Sequence, residues 1–210
     1  MPPSAQPSTA TIFPEGTVAA PPAAASLQTL ADYLRVGFWQ ASSTTTRQYN
    51  LTSTDLNPNA GELRFNISGW NFDTNGDGIT DGDADGLTTA RRDLVREAFK
   101  LYQATLGIRF VETTATDSSV DFFFTDNALD SAYAYAAGSS TSTGVDYSVI
   151  NVASNWYGGL SSFDSYTLQT ILHEIGHALG LGHQGLYNGS ATYSGSAQFA
   201  NDSWQVSMMS

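Results

Sequence analysis

The chain has three histidines, and all of them fall within eleven residues, His173-Glu174-Ile175-Gly176-His177-Ala178-Leu179-Gly180-Leu181-Gly182-His183. This stretch constrains the fold more tightly than any other part of the sequence. Helical positions four apart share one face, so His173 and His177 present both imidazoles to the same side. His183 lies six residues further on and would point elsewhere if the helix continued. The backbone must therefore turn between them, and Gly180 supplies a residue free to adopt positive φ. After that turn His183 can swing back to meet the first two rings.

Three neutral imidazoles around one open position suit zinc in a catalytic setting. The chain has no cysteine, which excludes disulfide scaffolds, cysteine nucleophiles and thiolate zinc sites. Glu174 directly follows the first histidine, so its carboxylate projects beside the ion without occupying it. From there it can take a proton from the attacking water and pass it to a leaving amine. The bare His-Glu-x-x-His pattern also reads as a helix with two surface histidines. Its extension to Gly180 and His183, with no histidine elsewhere, favours the metal site.

The rest of the chain is consistent with one domain of 210 residues. Eight basic residues against twenty acidic ones give a net charge of −12, which repels phosphate backbones and anionic lipid. Nucleic-acid and membrane-surface binding are excluded on that ground. No apolar run approaches the roughly 20 residues of a membrane span. Residues 1–25 hold six of the seven prolines and show no helical or strand period. They read either as a leader or prosegment or as a plain flexible tail, with the folded unit over 26–210.

Within that unit, Leu27, Leu30, Tyr33 and Leu34 predict a helix capped by Ser26. Strands are expected at Gln48 to Ser53 and Glu62 to Ser68. A long helix is expected from Thr88 to Leu106, ended by Gly107. Its apolar stripe includes Leu94, Val95, Phe99, Leu101, Tyr102 and Leu106, with Arg91, Arg92, Arg96 and Lys100 turned to solvent. Further strands are expected at Ile108 to Glu112, Val120 to Thr125, Ala132 to Ala136 and Tyr147 to Val152. A second long helix should run from about Ser165 to Leu181, capped by Asp164 or Ser165. Strands mixed with two long helices predict an α+β fold with the sheet covered by those helices.

The segment from Asp73 to Gly86 carries a second cation signal. Asp73, Asn75 and Asp77 followed by Gly78 match the opening of a calcium loop, but Ala84 stands where a closing glutamate is usual. Asp81, Asp83 and Asp85 add further carboxylates, and five aspartates in thirteen residues repel one another without a cation. Calcium held by these residues is one reading, and a solvated acidic surface loop is the other.

The eleven histidine-bearing residues resemble the metzincin clan of zinc endopeptidases, and most closely the serralysins within it. Ser131 to Tyr135, Gly185 to Asn188 and Ser207 to Ser210 extend the likeness, which covers roughly residues 26–210. The resemblance implies a twisted, mainly parallel sheet with an antiparallel edge strand and two long helices. It also implies that Met209 is the Met-turn methionine beneath the zinc, and that Ala132, Tyr133, Ala134 and Tyr135 form the edge strand receiving substrate. Such a protein is a secreted monomer acting on proteins and peptides. Two departures stand out: Gln184 occupies the place of a usual proline, and the sequence given stops one residue short of a family tyrosine that contacts the zinc or the transition state. The calcium-binding β-roll of typical serralysins is not in this sequence either. The chain is thus expected to be either an active endopeptidase or a weakly active zinc- and calcium-binding portion of one, with another metzincin subfamily left open by Gln184.

Overall fold

The structure is a computed structural model and describes residues 22–48, 61–73, 81–137, 145–188, 191 and 193–210. Beyond Gln48 the strand expected at Gln48 to Ser53 lies outside the described residues, as do Asn75 and Asp77 of the acidic segment and most of the leader.

A helical segment opens the described chain: α1 (Leu27–Asp32) runs through a π turn (Tyr33–Gly37) into α2 (Phe38–Ala41). Ser26 caps it by accepting from the Thr29 N–H at 3.1 Å. Pairing begins before Ser26, because the Ala200 N–H donates to the Ala23 carbonyl and the Asn201 side chain bonds both backbone groups of Ala25.

Five strands form the main sheet: β1 (Glu62–Asn66), β4 (Arg109–Glu112), β5 (Phe122–Thr125), β6 (Ala132–Ala137) and β7 (Tyr147–Val152). Their order is β4-β1-β5-β7-β6. The first four are parallel, and β6 pairs antiparallel to β7 at the edge, with Ala134 opposite Ile150. A separate antiparallel pair, β2 (Trp70–Phe72) with β3 (Asp81–Asp83), brackets the acidic segment. The sequence reading took this stretch for a loop, since aspartate and glycine are poor strand formers.

The period of two along each strand divides the side chains between two cores. Phe122, Phe124, Ile150 and Val152 face the helices, where Leu94, Val95, Ala98 and Phe99 of α3 (Thr89–Leu106) and Ile171, Ile175 and Ala178 of α4 (Tyr166–Ala178) meet them. Phe123 and Val149 face the other way, against Trp70 and Val120. Each large side chain buried in this manner contributes about 1.5–3 kcal/mol. No helix among the described residues is long and apolar enough to cross a membrane.

Four expectations about the helices need correction. Arg91 is 2% exposed and does not face solvent. Its guanidinium donates to the carbonyls of Val152 at 2.6 Å and Ser154 at 3.2 Å, groups that the end of β7 would otherwise leave unpaired, and lies 3.8 Å from Asp126. Leu101 and Leu106 are about half exposed, so the stripe is narrower than predicted. Helix α4 ends at Ala178, short of Leu181, because the backbone already reverses at Gly180, where φ is +103°. Ser165 is its N-cap residue, yet the Ser165 hydroxyl donates to the Ser162 carbonyl and does not cap the helix.

Between β1 and β5 sits a buried carboxyl that contributes to the pH dependence of stability. Asp121 Oδ2 accepts from the Arg64 backbone N–H at 2.6 Å. Burial pushes the Asp121 carboxyl up to about 7 in spite of that bond and the Arg64 charge. As pH rises above the ordinary carboxylate pKa of about 3.9, the unfolded chain releases this proton first, so stability falls until the folded carboxyl titrates. Asp121→Asn keeps an acceptor for Arg64 and cannot ionise. Its Tm profile is expected to be flatter than that of the parent between about pH 4 and about pH 7. Parallel profiles would show that Asp121 is not the group responsible.

Candidate metal centre

Helix α4 buries Ile171, Ile175 and Ala178 in the sheet and turns His173 and His177 to the opposite side, above a cleft of about 680 Å³. The reversal at Gly180 returns the chain so that His183 Nε2 lies 3.2 Å from His173 Nε2 and 3.1 Å from His177 Nε2. Four-coordinate zinc with Zn–N bonds of about 2.0–2.1 Å separates its nitrogens by about 3.3 Å. Two outer nitrogens are held by backbone carbonyls: His173 Nδ1 by Met208 at 2.7 Å and His177 Nδ1 by Leu181 at 2.8 Å. With Nδ1–H donating outward, both Nε2 lone pairs point inward, where they cannot hydrogen-bond each other. A cation satisfies all three, so the donor set fits zinc.

Electrostatics reinforce the neutral form of these rings. Burial pushes all three histidines down, and for each the charge of a neighbouring imidazole or a backbone contact modulates the shift. The His183 imidazole falls to about 4 and that of His177 to about 2. Glu174 is 6% exposed, and burial raises its carboxyl to about 8 against the pull of the Arg47 charge.

Beneath the histidines, Met209 is fully buried. Its N–H donates to Ser207 Oγ at 3.0 Å, and its carbonyl accepts from the Gln184 N–H at 3.2 Å, next to His183. Gln184 is itself buried and donates through Nε2 to the Leu30 carbonyl of α1. Tyr102 of α3 donates to the Leu172 carbonyl at 2.7 Å and contacts Met208 Sδ at 3.1 Å, pinning the turn to the helix.

Ala132, Tyr133 and Ala134 of the edge strand line the far side of the cleft, and Tyr135 follows in the same strand. Trp156, Tyr166 and Trp204 enclose one end, while Arg47 and Trp39 lie at the other wall. Sequence patterns place Tyr102 on the apolar stripe of α3 and leave Arg47, Trp39 and Trp204 unmarked. No local pattern marks these three, because each reaches the site from a different part of the chain. In the described part of the acidic segment, the Asp83 carboxylate faces inward, accepting from the N–H groups of Gly86 at 2.7 Å and Asp126 at 3.2 Å.

Gly176 is required here by close approach. A Cβ at that position would lie 2.6 Å from Met209 Sδ and 3.2 Å from the Tyr102 hydroxyl. Met209 has no exposed surface, so its side chain can yield only by repacking within the core. Gly176→Ala is expected to cost about 1–3 kcal/mol of stability, the range for overpacking. Combining it with Met209→Ala should recover part of that loss, as read by denaturant unfolding of the single and double variants. Strict additivity would mean that the two residues are not in conflict.

Comparison with known proteins matches this geometry to a family. Residues 79–190, more than half of the chain, match the family described as Matrixin. A serralysin of Photorhabdus laumondii is 37% identical over 111 residues, covering 49% of this chain and 23% of the relative. Serralysin C of Dickeya chrysanthemi is 42% identical over 85 residues, 38% of this chain and 16% of the relative. Serralysin B of the same organism reaches 50% over 50 residues, 22% and 10% of the two chains. The chain thus spans less than a quarter of the length of these relatives. Its three-histidine helix and turn, its mainly parallel sheet with an antiparallel edge and these matches together place it: the chain belongs to the matrixin family and is a serralysin-like metzincin.

Proposed function

We propose that the chain is a zinc-dependent endopeptidase that hydrolyses peptide bonds in proteins and peptides. One observation carries this reading: three imidazole nitrogens converge at 3.1–3.2 Å beside a buried carboxyl, in a cleft lined by β6. His173, His177 and His183 would hold the metal, with Met209 as the apolar floor. When bound, zinc supplies Lewis acidity towards water and the scissile carbonyl.

Glu174 would do the proton work. Its carboxylate takes a proton from the attacking water as the new C–O bond forms, and returns it to the amine as the C–N bond breaks. A dication held beside this buried carboxyl would favour its ionised form, the form able to accept the proton from water. The edge strand would bind the substrate main chain antiparallel, by strand addition through Ala132 to Tyr135. The same likeness favours a monomer working outside the cell.

Calcium in the acidic segment is a second part of this proposal. Asp73, Asn75, Asp77 and Asp81 remain its candidate ligands, with Asp85 close by. Asp83 would act as the inward anchor of the loop, since both of its oxygens accept backbone N–H groups.

Glu174→Gln is expected to retain full zinc content while hydrolysis of a quenched peptide falls about a hundred- to ten-thousandfold. Wild-type rates in that variant would remove Glu174 from the role. For the acidic segment, a chelator should lower the Tm, and calcium should restore it where zinc alone does not. Failure to bind calcium at saturation would leave the segment an ordinary solvated loop.

A further inference from the structure

β6 packs beside α4, with Ala132 and Ala134 against the core that holds Ile171, Ile175 and Ala178, and the Arg47 side chain bridges the backbones of the two elements. Arg47 Nη1 donates to the Ala134 carbonyl on β6 and to the His177 carbonyl in the last turn of α4, each at 3.2 Å. The guanidinium lies 4.9 Å from the Trp39 ring centroid. Trp39 is buried and held by its own indole N–H, which donates to the Gly180 carbonyl at 2.9 Å. The Arg47 backbone is held as closely. Its carbonyl oxygen lies 2.6 Å from where a Cβ on Gly180 would sit, so the glycine of the metal-site turn also admits this segment. A cation at a helix C-terminus is favourable in its own right.

The Ala134 carbonyl matters because of where it points. In an antiparallel pair, alternate residues direct both backbone groups towards the neighbouring strand. The Ala153 N–H donates to the Ser131 carbonyl at 3.0 Å, so Ser131, Tyr133 and Tyr135 face β7. Ala132 and Ala134 turn theirs outward, to the cleft that both residues line. These are the groups an added peptide strand would meet.

The two elements also share a direction. The start of β6 lies beside Ala153, the Trp156 N–H donates to the Ala153 carbonyl, and the Trp156 indole donates to Thr170 in the first half of α4. Arg47 joins Ala134, further along β6, to His177 near the end of α4. A peptide antiparallel to β6 therefore places its N-terminal part at the Arg47 end and its C-terminal part by Trp156.

We propose that Arg47 is a positioning residue. By bonding the outward carbonyl of the edge strand and the carbonyl of the turn that bears His177, it fixes the Ala134 backbone relative to the three imidazoles, beyond what the packing of Ala132 and Ala134 on α4 provides. Its effect falls on the part of the substrate N-terminal to the scissile bond. This inference rests on the peptidase reading above. Arg47 also places positive charge near Glu174, so the variants must separate the fork from the charge. Arg47→Lys keeps the charge without a fork able to hold both carbonyls, and Arg47→Gln removes the charge.

Two peptides are used on the zinc-loaded chain, one extending well to the N-terminal side of the scissile bond and one beginning next to it. Both variants should raise KM for the longer peptide about tenfold, the worth of one charge-assisted hydrogen bond, with kcat near wild type. KM for the shorter peptide and zinc affinity by chelator competition should stay close to wild type. Equal effects on both peptides overturn the proposal, as does a fall in kcat confined to Arg47→Gln with KM unchanged. Hydrogen exchange on the metal-free chain gives a readout independent of turnover. The Tyr133 and Tyr135 amides should exchange faster in both variants while those of β1 do not, and unaltered β6 protection overturns the proposal. A wild-type chain that binds zinc and cleaves neither peptide defeats the peptidase reading, and the exchange result still decides the role of Arg47.

Discussion

The docking of α4 onto the parallel sheet is the interaction on which the rest of the structure depends. Ile171, Ile175 and Ala178 recur at helical spacing and are essentially inaccessible to solvent, against Phe124, Ile150 and Val152. With that face committed, the helix can rotate no further, and the face bearing His173 and His177 is fixed over the cleft. The two buried isoleucines contribute about 1.5–3 kcal/mol each, and the Ala178 methyl about 0.8 kcal/mol more. The sheet therefore acts as the platform that aims the first two imidazoles, and the turn at Gly180 aims the third.

Around that platform, several cleft residues are tied to α4 or to the turn after it through backbone carbonyls. Tyr102 takes the Leu172 carbonyl, Arg47 takes that of His177, and Trp39 takes that of Gly180. Met208 and Leu181 then offer their own carbonyls to His173 and His177. Hydrogen bonds of this kind contribute modestly one at a time, about 0.5–1.5 kcal/mol net, but they are directional. They convert a helix that merely sits on a sheet into one whose ring orientations are set within narrow limits.

The chemistry was legible in the sequence because it is local. His173, Glu174, His177, Gly180 and His183 fall on one helix and one turn, and short-range geometry determines how such residues meet. The strands β1, β4, β5, β6 and β7 were legible too, since apolar runs bounded by turn residues require no knowledge of their partners. What escaped was long-range. Arg91 looked like part of a solvated basic face, and only the unpaired ends of β7 explain its burial. Arg47 carries no pattern at all, and the stripe that contains Tyr102 does not disclose what its hydroxyl bonds, because their partners lie 130 and 70 positions away in the chain. The hairpin of β2 and β3 was hidden by its composition, and becomes intelligible once Trp70 is seen packed on Phe123.

Gly176 shows how these levels meet at one residue. Helix propensity alone disfavours glycine inside α4, by about 1 kcal/mol relative to alanine. The loss is accepted because the missing side chain is the space into which Met209 and the Tyr102 hydroxyl fit. Met209 in turn presents its carbonyl to the Gln184 N–H, beside His183, and Met208 presents its carbonyl to His173. One absent methyl group thus lets the terminal turn approach the helix closely enough to hold two of the three histidines from below. A locally unfavourable residue is retained where the tertiary contact it permits orients the reactive groups, and sequence patterns read one segment at a time register the local loss without the gain.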